Sequence, residues 1–207
     1  MPAATRSGTE GYAEAAPFLL RTRVPFEQVH EPILHLLPTA PARVLDIGSG
    51  PGHDAASLAA LGHAVAAAEP TPELLRGAAE LYGSSGVLWL EDGLPDLAAV
   101  KALGWRFALV LASGVWMHLD EAQRREAMTN IAGLLEPDGV LAVSLRHGPV
   151  PPGRRMFQVG GRETIELAAE RGLSPVANVT RDSIQPGNRA AGVTWTHLAF
   201  SRRRTHG

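Results

Sequence analysis

The chain has 207 residues, of which 45% are hydrophobic, and its 19 basic and 21 acidic side chains leave a formal net charge of −2. This length suits a single domain with a sizeable core, and the balanced charge gives no electrostatic footprint for nucleic acid or an anionic membrane. No apolar run approaches the ~18 residues that cross a bilayer, the first residues lack the apolar core of a signal peptide, and there is no cysteine. We therefore expect a cytoplasmic protein, a monomer or homodimer, with no nucleic-acid or membrane partner.

The first predicted elements are helical. Residues 11–37 carry apolar side chains at helical spacing, and Pro25 and Pro32 interrupt them, so we expect two helical pieces. A loop at 38–43 then leads into a first strand at 43–47.

From the first strand onward, strand patterns and helix patterns alternate. The later strands of this series are predicted at 63–68, 87–90, 107–112 and 140–145. The helices between them are predicted at 54–61, 71–82 and 97–103, and from the capping box Asp120-x-x-Gln123 onward. The alternation implies a parallel sheet with right-handed crossovers. The continuous apolar run at 63–68 suits such a sheet, because its strands are buried on both faces.

The C-terminal third has a different pattern. A turn at 137–139 precedes the strand at 140–145, and residues 146–161 hold three prolines and four glycines, which predicts a long loop. A helix at 163–171 follows. The last two strands, 173–182 and 193–202, are joined by a Pro-Gly-Asn loop and can pair antiparallel.

Three glycines follow the first strand at every second position: Gly48, Gly50 and Gly52. Glycine is needed where the backbone passes close to a ligand or adopts positive φ. The helix that follows offers unpaired N–H groups and the positive end of its dipole. The G-x-G-x-G spacing differs from the G-x-G-x-x-G that holds a dinucleotide pyrophosphate. An ordinary glycine-rich turn is the alternative reading.

Carboxylates lie at the carboxyl ends of three successive predicted strands. Asp46, Glu69 and Asp92 are spaced by 23 and 23 residues, one strand–helix–strand step each. The carboxyl ends of such strands meet along one edge of the sheet, where ligands bind. Glu69 can accept two hydrogen bonds from a ribose diol, and Asp92 can accept one from the exocyclic amine of adenine. Solvated loop acids are the alternative for both.

The segment VLDIGSGPG, residues 44–52, resembles motif I of the class I S-adenosylmethionine-dependent methyltransferases, and the similarity runs over roughly residues 40–147. The resemblance, with the element order, implies an α/β, Rossmann-like doubly wound sheet. It has seven strands, mostly parallel with the last antiparallel, and helices on both faces. S-adenosylmethionine is the implied cofactor and S-adenosylhomocysteine the product. In that family the glycine loop wraps the methionine part of the cofactor.

The resemblance also implies a set of cofactor-binding residues. These are Asp46, Gly48, Ser49, Gly50, Gly52, Glu69, Pro70, Asp92, Gly93, Leu94, Ala112 and Ser113. Asp46, Gly48 and Gly50 would lie along the methionyl groups, and Gly93 and Leu94 beside the adenine ring. One domain is expected over 1–207, with a helical cap at 1–40, a cofactor-binding core at 41–147, and a substrate loop with the C-terminal strands at 148–207.

The candidate general base is His118, just beyond the fourth strand, where the resembling fold faces the methyl group. Histidine titrates near neutral pH and can accept a proton from a hydroxyl or amine. Packing or capping at the start of the next helix is the alternative. Substrate contacts are predicted for Tyr12, Arg21, Trp116, Arg146 and His147, with His30 as a further pocket candidate. The scattered histidines predict no metal site.

Three functions are compatible with these patterns. The leading one is transfer of a methyl group from S-adenosylmethionine to a small-molecule O or N acceptor. Such a reaction mainly requires that nucleophile, methyl and sulfur be held in line, so it needs no obligatory catalytic acid or base. The second is an NAD(P)-dependent oxidoreductase, because Glu69 would bind the ribose of NAD equally well. The third is a non-catalytic module that binds S-adenosylmethionine.

Overall fold

A computed structural model describes residues 8–202 of the chain. Its strands are β1 (Arg43–Ile47), β2 (Ala64–Ala68), β3 (Leu88–Leu90), β4 (Phe107–Ser113), β5 (Leu135–His147), β6 (Leu173–Asp182) and β7 (Thr194–Arg202). Its α-helices are α1 (Tyr12–Leu19), α2 (Phe26–Val29), α3 (His53–Ala60), α4 (Pro72–Tyr82), α5 (Ala98–Ala102), α6 (Glu121–Leu134), α7 (Gly161–Ala169) and α8 (Pro186–Ala190). Two 3-10 helices cover Glu31–Leu36 and Trp116–His118.

The strands form one sheet in the order β3-β2-β1-β4-β5-β7-β6. β1 to β5 run parallel to their neighbours among themselves, and β7 runs antiparallel to both β5 and β6. This arrangement confirms the predicted Rossmann-like sheet of seven strands, mostly parallel with the last antiparallel. The strand order reverses between β1 and β4, and a reversal of this kind opens a crevice at the carboxyl ends of the strands.

Side chains of each inner strand point alternately to two separate cores. Leu45 of β1 packs in the core that also contains Met128 and Ile131 of α6. Its neighbour Val44 packs on the opposite face with Leu58 of α3. Because both faces of the sheet are covered by helices, the strands are apolar throughout, as the sequence pattern predicted.

The N-terminal segment departs from the prediction of two helical pieces. It forms three pieces, namely α1, α2 and the 3-10 helix Glu31–Leu36. Pro25 is the residue before α2, as expected for a helix break. Pro32 instead lies in the first turn of the 3-10 helix, where a missing N–H removes no helical hydrogen bond. The prediction of two helical pieces was therefore wrong, since Pro32 begins a third piece.

Two C-terminal segments also differ. β5 begins at Leu135, before the predicted turn at 137–139, because Leu135 pairs with Phe107 and the register then shifts, so that Leu109 pairs with Val140. The predicted turn is thus a bulge inside a longer strand. The predicted Pro-Gly-Asn loop contains the short helix α8. Neither change moves the carboxyl edge of the sheet.

Candidate active site

The glycine bend after β1 has the backbone conformation that its spacing predicted. Gly48, Gly50 and Gly52 all have positive φ, at 65°, 55° and 79°. A Cβ on Gly48 would overlap the side chain of Val115, and one on Gly52 would lie 2.6 Å from the Trp89 ring. Close packing and positive φ therefore both require glycine at these two positions.

A cavity of about 390 Å³ lies at the carboxyl ends of β1, β2 and β4, beneath the N-terminal segment. Eleven of the residues proposed from the sequence line it: Tyr12, Asp46, Gly48, Ser49, Gly50, Glu69, Pro70, Gly93, Leu94, Ser113 and His118. The strand ends and the N-terminal helices thus bring the two predicted groups, cofactor residues and candidate base, to one cavity.

Asp46, at the end of β1, is only 2% exposed, and its Oδ2 is buried with no hydrogen-bond partner among residues 8–202. Burial raises the pKa of Asp46 well above its ordinary value, and the negative charges of Asp54 and Glu69 raise it further. An unpartnered buried carboxylate is costly. A bound ligand with a positive group or a hydrogen-bond donor would satisfy it.

Glu69, after β2, is buried and accepts hydrogen bonds from two separate turns. Its Oε2 accepts a hydrogen bond from the N–H of Gly50 at 2.8 Å, and its Oε1 accepts one from the N–H of Thr71 at 2.7 Å. Burial raises the pKa of Glu69, while the hydrogen bonds from Thr71 and Gly50 oppose the shift. Each oxygen keeps a second lone pair, so the carboxylate can still accept from two ligand hydroxyls.

The third acid, Asp92, is buried, but it does not line the cavity. Its Oδ1 accepts from the N–H of Gly93 at 2.8 Å and its Oδ2 from the N–H of Val100 at 3.0 Å. These bonds hold the loop that places Gly93 and Leu94 in the cavity wall. Gly52 and Ala112 are likewise buried and not part of the wall. The direct adenine contact of Asp92 stays a prediction.

His118 and Tyr12, 106 residues apart, are joined by a hydrogen bond of 2.8 Å between His118 Nε2 and the Tyr12 hydroxyl. The other ring nitrogen, Nδ1, lies 2.7 Å from the carbonyl oxygen of Arg155. A carbonyl only accepts, so Nδ1 carries the proton of the neutral ring and Nε2 accepts from Tyr12. The one acceptor lone pair of His118 is therefore directed at the Tyr12 hydroxyl, and Tyr12 lines the cavity.

The surroundings keep this pair neutral. Burial lowers the pKa of His118; the Arg155 carbonyl opposes that shift and the charge of Arg154 adds to it. Burial raises the pKa of Tyr12, and the guanidinium of Arg154, 3.5 Å from the centre of the tyrosine ring, counteracts it. A neutral imidazole beside a protonated phenol can accept a proton at pH 7.

Four predicted substrate residues do not line this cavity, and their substrate contacts stay predictions. Trp116 is fully buried in the core under α6, where bulk and apolarity place an indole ring. Arg21 is exposed on the surface. Arg146 donates to the carbonyl of Pro149, and His147 contacts Thr196 through a 2.8 Å hydrogen bond.

Other cavity residues were missed at the level of sequence. His53 and Asp54 lie in the wall directly after the glycine bend, and their position there was the available signal. The Nε2 of His53 donates to the carbonyl of Thr22 at 3.1 Å, and its Nδ1 accepts from the Tyr82 hydroxyl at 2.6 Å. The N-terminal segment adds an apolar wall consisting of Phe18, Leu19, Val24 and Val29.

The sheet reverses next to β1, and a glycine bend and acids at neighbouring strand ends line one cavity, which is the arrangement that the resemblance to class I methyltransferases implied. Residues 44–139 match the model of the family described as "Methyltransferase domain". This segment, just under half of the chain, is therefore similar to a methyltransferase domain. The match favours methyl transfer over the NAD(P)-dependent oxidoreductase reading.

Solved structures share the whole fold at low sequence identity. The magnesium protoporphyrin IX methyltransferase of Synechocystis PCC 6803 with bound S-adenosylmethionine is 13% identical, with 98% of this chain and 100% of that chain covered at a TM-score of 0.72. The N-methyltransferase NodS from Bradyrhizobium japonicum WM9 with S-adenosylhomocysteine is 20% identical, covering 93% and 99%, with a TM-score of 0.69. A Burkholderia thailandensis 1,6-didemethyltoxoflavin-N1-methyltransferase is 22% identical, covering 93% and 79%, with a TM-score of 0.62.

No curated protein sequence matches the chain significantly. Between residues 8 and 202, no helix is long and apolar enough to cross a bilayer. The same part of the chain contains no group of three or more histidine, aspartate or glutamate side chains arranged to hold a metal ion.

Proposed function

We propose that the protein transfers a methyl group from S-adenosylmethionine to a hydroxyl or amine of a small-molecule acceptor. The observation that carries the proposal is one cavity with two buried acids at one side and the Tyr12–His118 pair at the other; the acids are Glu69 and Asp46, whose Oδ2 has no partner among residues 8–202. The first side suits a cationic adenosyl compound. The second suits a nucleophile that must lose a proton.

The residues of the cofactor side fit S-adenosylmethionine. Asp46 and the glycine bend would hold the methionyl part, Glu69 the ribose hydroxyls, and the wall at Gly93 and Leu94 the adenine. No arginine or lysine within residues 8–202 forms an ion pair with Asp46 or Glu69. A ligand with ammonium and sulfonium groups supplies the positive charge that these carboxylates lack.

When bound, the cofactor supplies a methyl group on a sulfonium that leaves as a neutral thioether. We assign the acceptor proton to the Tyr12–His118 pair. As the acceptor lone pair forms its bond to carbon, its proton passes to the Tyr12 hydroxyl oxygen, and the Tyr12 proton passes to His118 Nε2. The Arg155 carbonyl holds the Nδ1 proton throughout and so stabilises the imidazolium that forms.

The acceptor pocket is assigned to the N-terminal segment and the loop after β5. Tyr12 belongs to the first, and Arg154, which contacts the Tyr12 ring, belongs to the second. We assign the three predicted parts of the domain these roles, and we place the enzyme in the cytoplasm, as a monomer or homodimer acting without nucleic acid. The small-molecule acceptors named for the toxoflavin and protoporphyrin enzymes support the acceptor class.

Calorimetry of the purified chain with S-adenosylmethionine, S-adenosylhomocysteine and NAD tests the proposal. We expect one site per chain for each of the first two ligands and no binding of NAD. The second step incubates the protein with methyl-labelled cofactor and a fractionated pool of small metabolites, and measures S-adenosylhomocysteine and labelled product. Binding of NAD without S-adenosylmethionine would overturn the proposal, and cofactor binding with no transfer across the pool would favour a non-catalytic module.

A further inference from the structure

A further carboxylate, paired with a histidine, lies at the cavity beside the residues already assigned. Asp54, in the first turn of α3, lines the cavity, and its Oδ2 lies 2.7 Å from Nε2 of His30. His30 comes from the N-terminal segment and is buried, with its ring packed 4.6 Å from that of Phe26. A carboxylate accepts, so the imidazole donates and holds Asp54 in one orientation.

The second oxygen of Asp54 is left for the cavity. Within residues 8–202, His30 is the one hydrogen-bond donor to this carboxylate, and the side chain is 21% exposed. An acidic side chain at a helix N-terminus is by itself an ordinary feature, since it complements the helix dipole. The independent observation is the neighbouring Asp46, whose buried Oδ2 has no partner in the same part of the chain.

We propose that Asp54 is a cofactor-binding residue that contacts the ammonium group of the methionyl part of S-adenosylmethionine, and that His30 is the residue that positions it. The proposal rests on the proposed function, because it concerns the same cavity. It places two carboxylates, Asp46 and Asp54, around the cationic end of the cofactor. It also makes the N-terminal segment part of the cofactor site through His30, beyond its role as an apolar cover.

Electrostatics supports the assignment. Of the neighbouring charges, Asp54 raises the pKa of Asp46 most, ahead of Glu69, and both Asp46 and Asp54 line the same cavity. Two like charges repel, and a cation bound between them would offset that repulsion.

Three ligands separate the charges of the cofactor. S-adenosylmethionine carries ammonium, carboxylate and sulfonium groups, S-adenosylhomocysteine carries the ammonium and carboxylate only, and 5′-methylthioadenosine carries none of the three. Asp54→Asn keeps the acceptor for His30 and removes the charge. We expect it to weaken the first two ligands about ten-fold to a hundred-fold, which is the effect of losing a charged hydrogen-bond partner. The affinity for 5′-methylthioadenosine should stay unchanged.

His30→Ala should weaken S-adenosylhomocysteine but not 5′-methylthioadenosine, and His30→Gln, which keeps a donor, should recover part of the loss. Glu80→Gln, which neutralises an exposed carboxylate of α4, is the matched control and should bind all ligands normally. Thermal melting checks the fold, and Asp54→Ser serves if Asp54→Asn does not fold.

Equal weakening of all three ligands, or no weakening, would overturn the inference. Failure of the wild-type chain to bind S-adenosylhomocysteine would instead contradict the proposed function.

Discussion

Replacing Glu69 with glutamine removes one charge and almost no volume, so it tests the ribose assignment directly. In the wild-type chain both oxygens accept main-chain hydrogen bonds, from Gly50 at 2.8 Å and Thr71 at 2.7 Å. Hydrogen bonds to a charged acceptor contribute about 1.5–3 kcal/mol each. The amide oxygen of glutamine can replace one carboxylate oxygen as an acceptor. The amide NH₂ group takes the place of the other oxygen, and because it is a donor it would face an N–H group that also donates. Losing a single such bond to the ribose corresponds to a ten-fold or larger increase in Kd, at ~1.4 kcal/mol per decade.

Calorimetry with S-adenosylhomocysteine measures that loss, and a pair of competitors locates it. In the wild type, adenosine should bind more tightly than 2′,3′-dideoxyadenosine, because only the first carries the diol. In Glu69→Gln this preference should shrink by about ten-fold or more, the effect of losing one hydrogen bond to a charged acceptor. Glu91→Gln, at a neighbouring exposed carboxylate, should retain the difference. An unchanged preference for the diol in Glu69→Gln would remove Glu69 from the ribose role.

Three further predictions follow from local geometry. Gly48→Ala should lower the free energy of unfolding by about 2–4 kcal/mol in urea titration, because it combines positive φ with overlap against Val115. Gly62→Ala, where the space around the new Cβ is open, should lower it by only about 1–2 kcal/mol. Equal losses in the two variants would contradict the packing argument. His118→Asn should reduce turnover strongly and leave the Kd for S-adenosylhomocysteine unchanged. In the wild type, turnover should fall only at pH values below the ordinary pKa range of histidine, because burial lowers the pKa of His118 and the base must be unprotonated. A fall in turnover that begins above pH 7 would contradict this role. Burial and nearby cations lower the pKa of His197 to about 4. The unfolded chain therefore takes up the proton first as the pH is lowered, and the free energy of unfolding should fall from about pH 6.5 to about pH 4. His197→Gln should flatten that fall, and an unaltered dependence on pH would refute the assignment.

The fold was largely predictable because its signals are local. The apolar runs, the glycine bend and the capping box are all short-range patterns, and the last is observed with Asp120 accepting from the N–H of Gln123 at 2.9 Å. β5 was predicted too short because its first residues pair across a register shift with Phe107, a long-range pairing that a Pro-Asp-Gly turn signal hides. α8 was missed because five residues carry too little periodicity to be recognised.

The site was predictable where it depends on strand ends and unpredictable where it depends on distant contacts. Asp46 and Glu69 follow strands whose order the alternation implies. The pairing of Tyr12 with His118 spans 106 residues and depends on how the N-terminal segment folds back over the sheet. Trp116 shows the converse, since proximity in sequence to His118 suggested a substrate contact, yet its ring is buried in the core.

A crystal structure of the chain with S-adenosylhomocysteine tests the central claim most directly. We predict the ribose hydroxyls within hydrogen-bond distance of Glu69, the amino group between Asp46 and Asp54, and the sulfur on the side that faces the Tyr12 hydroxyl. A nucleoside bound at the opposite edge of the sheet, or a ribose remote from Glu69, would contradict the account.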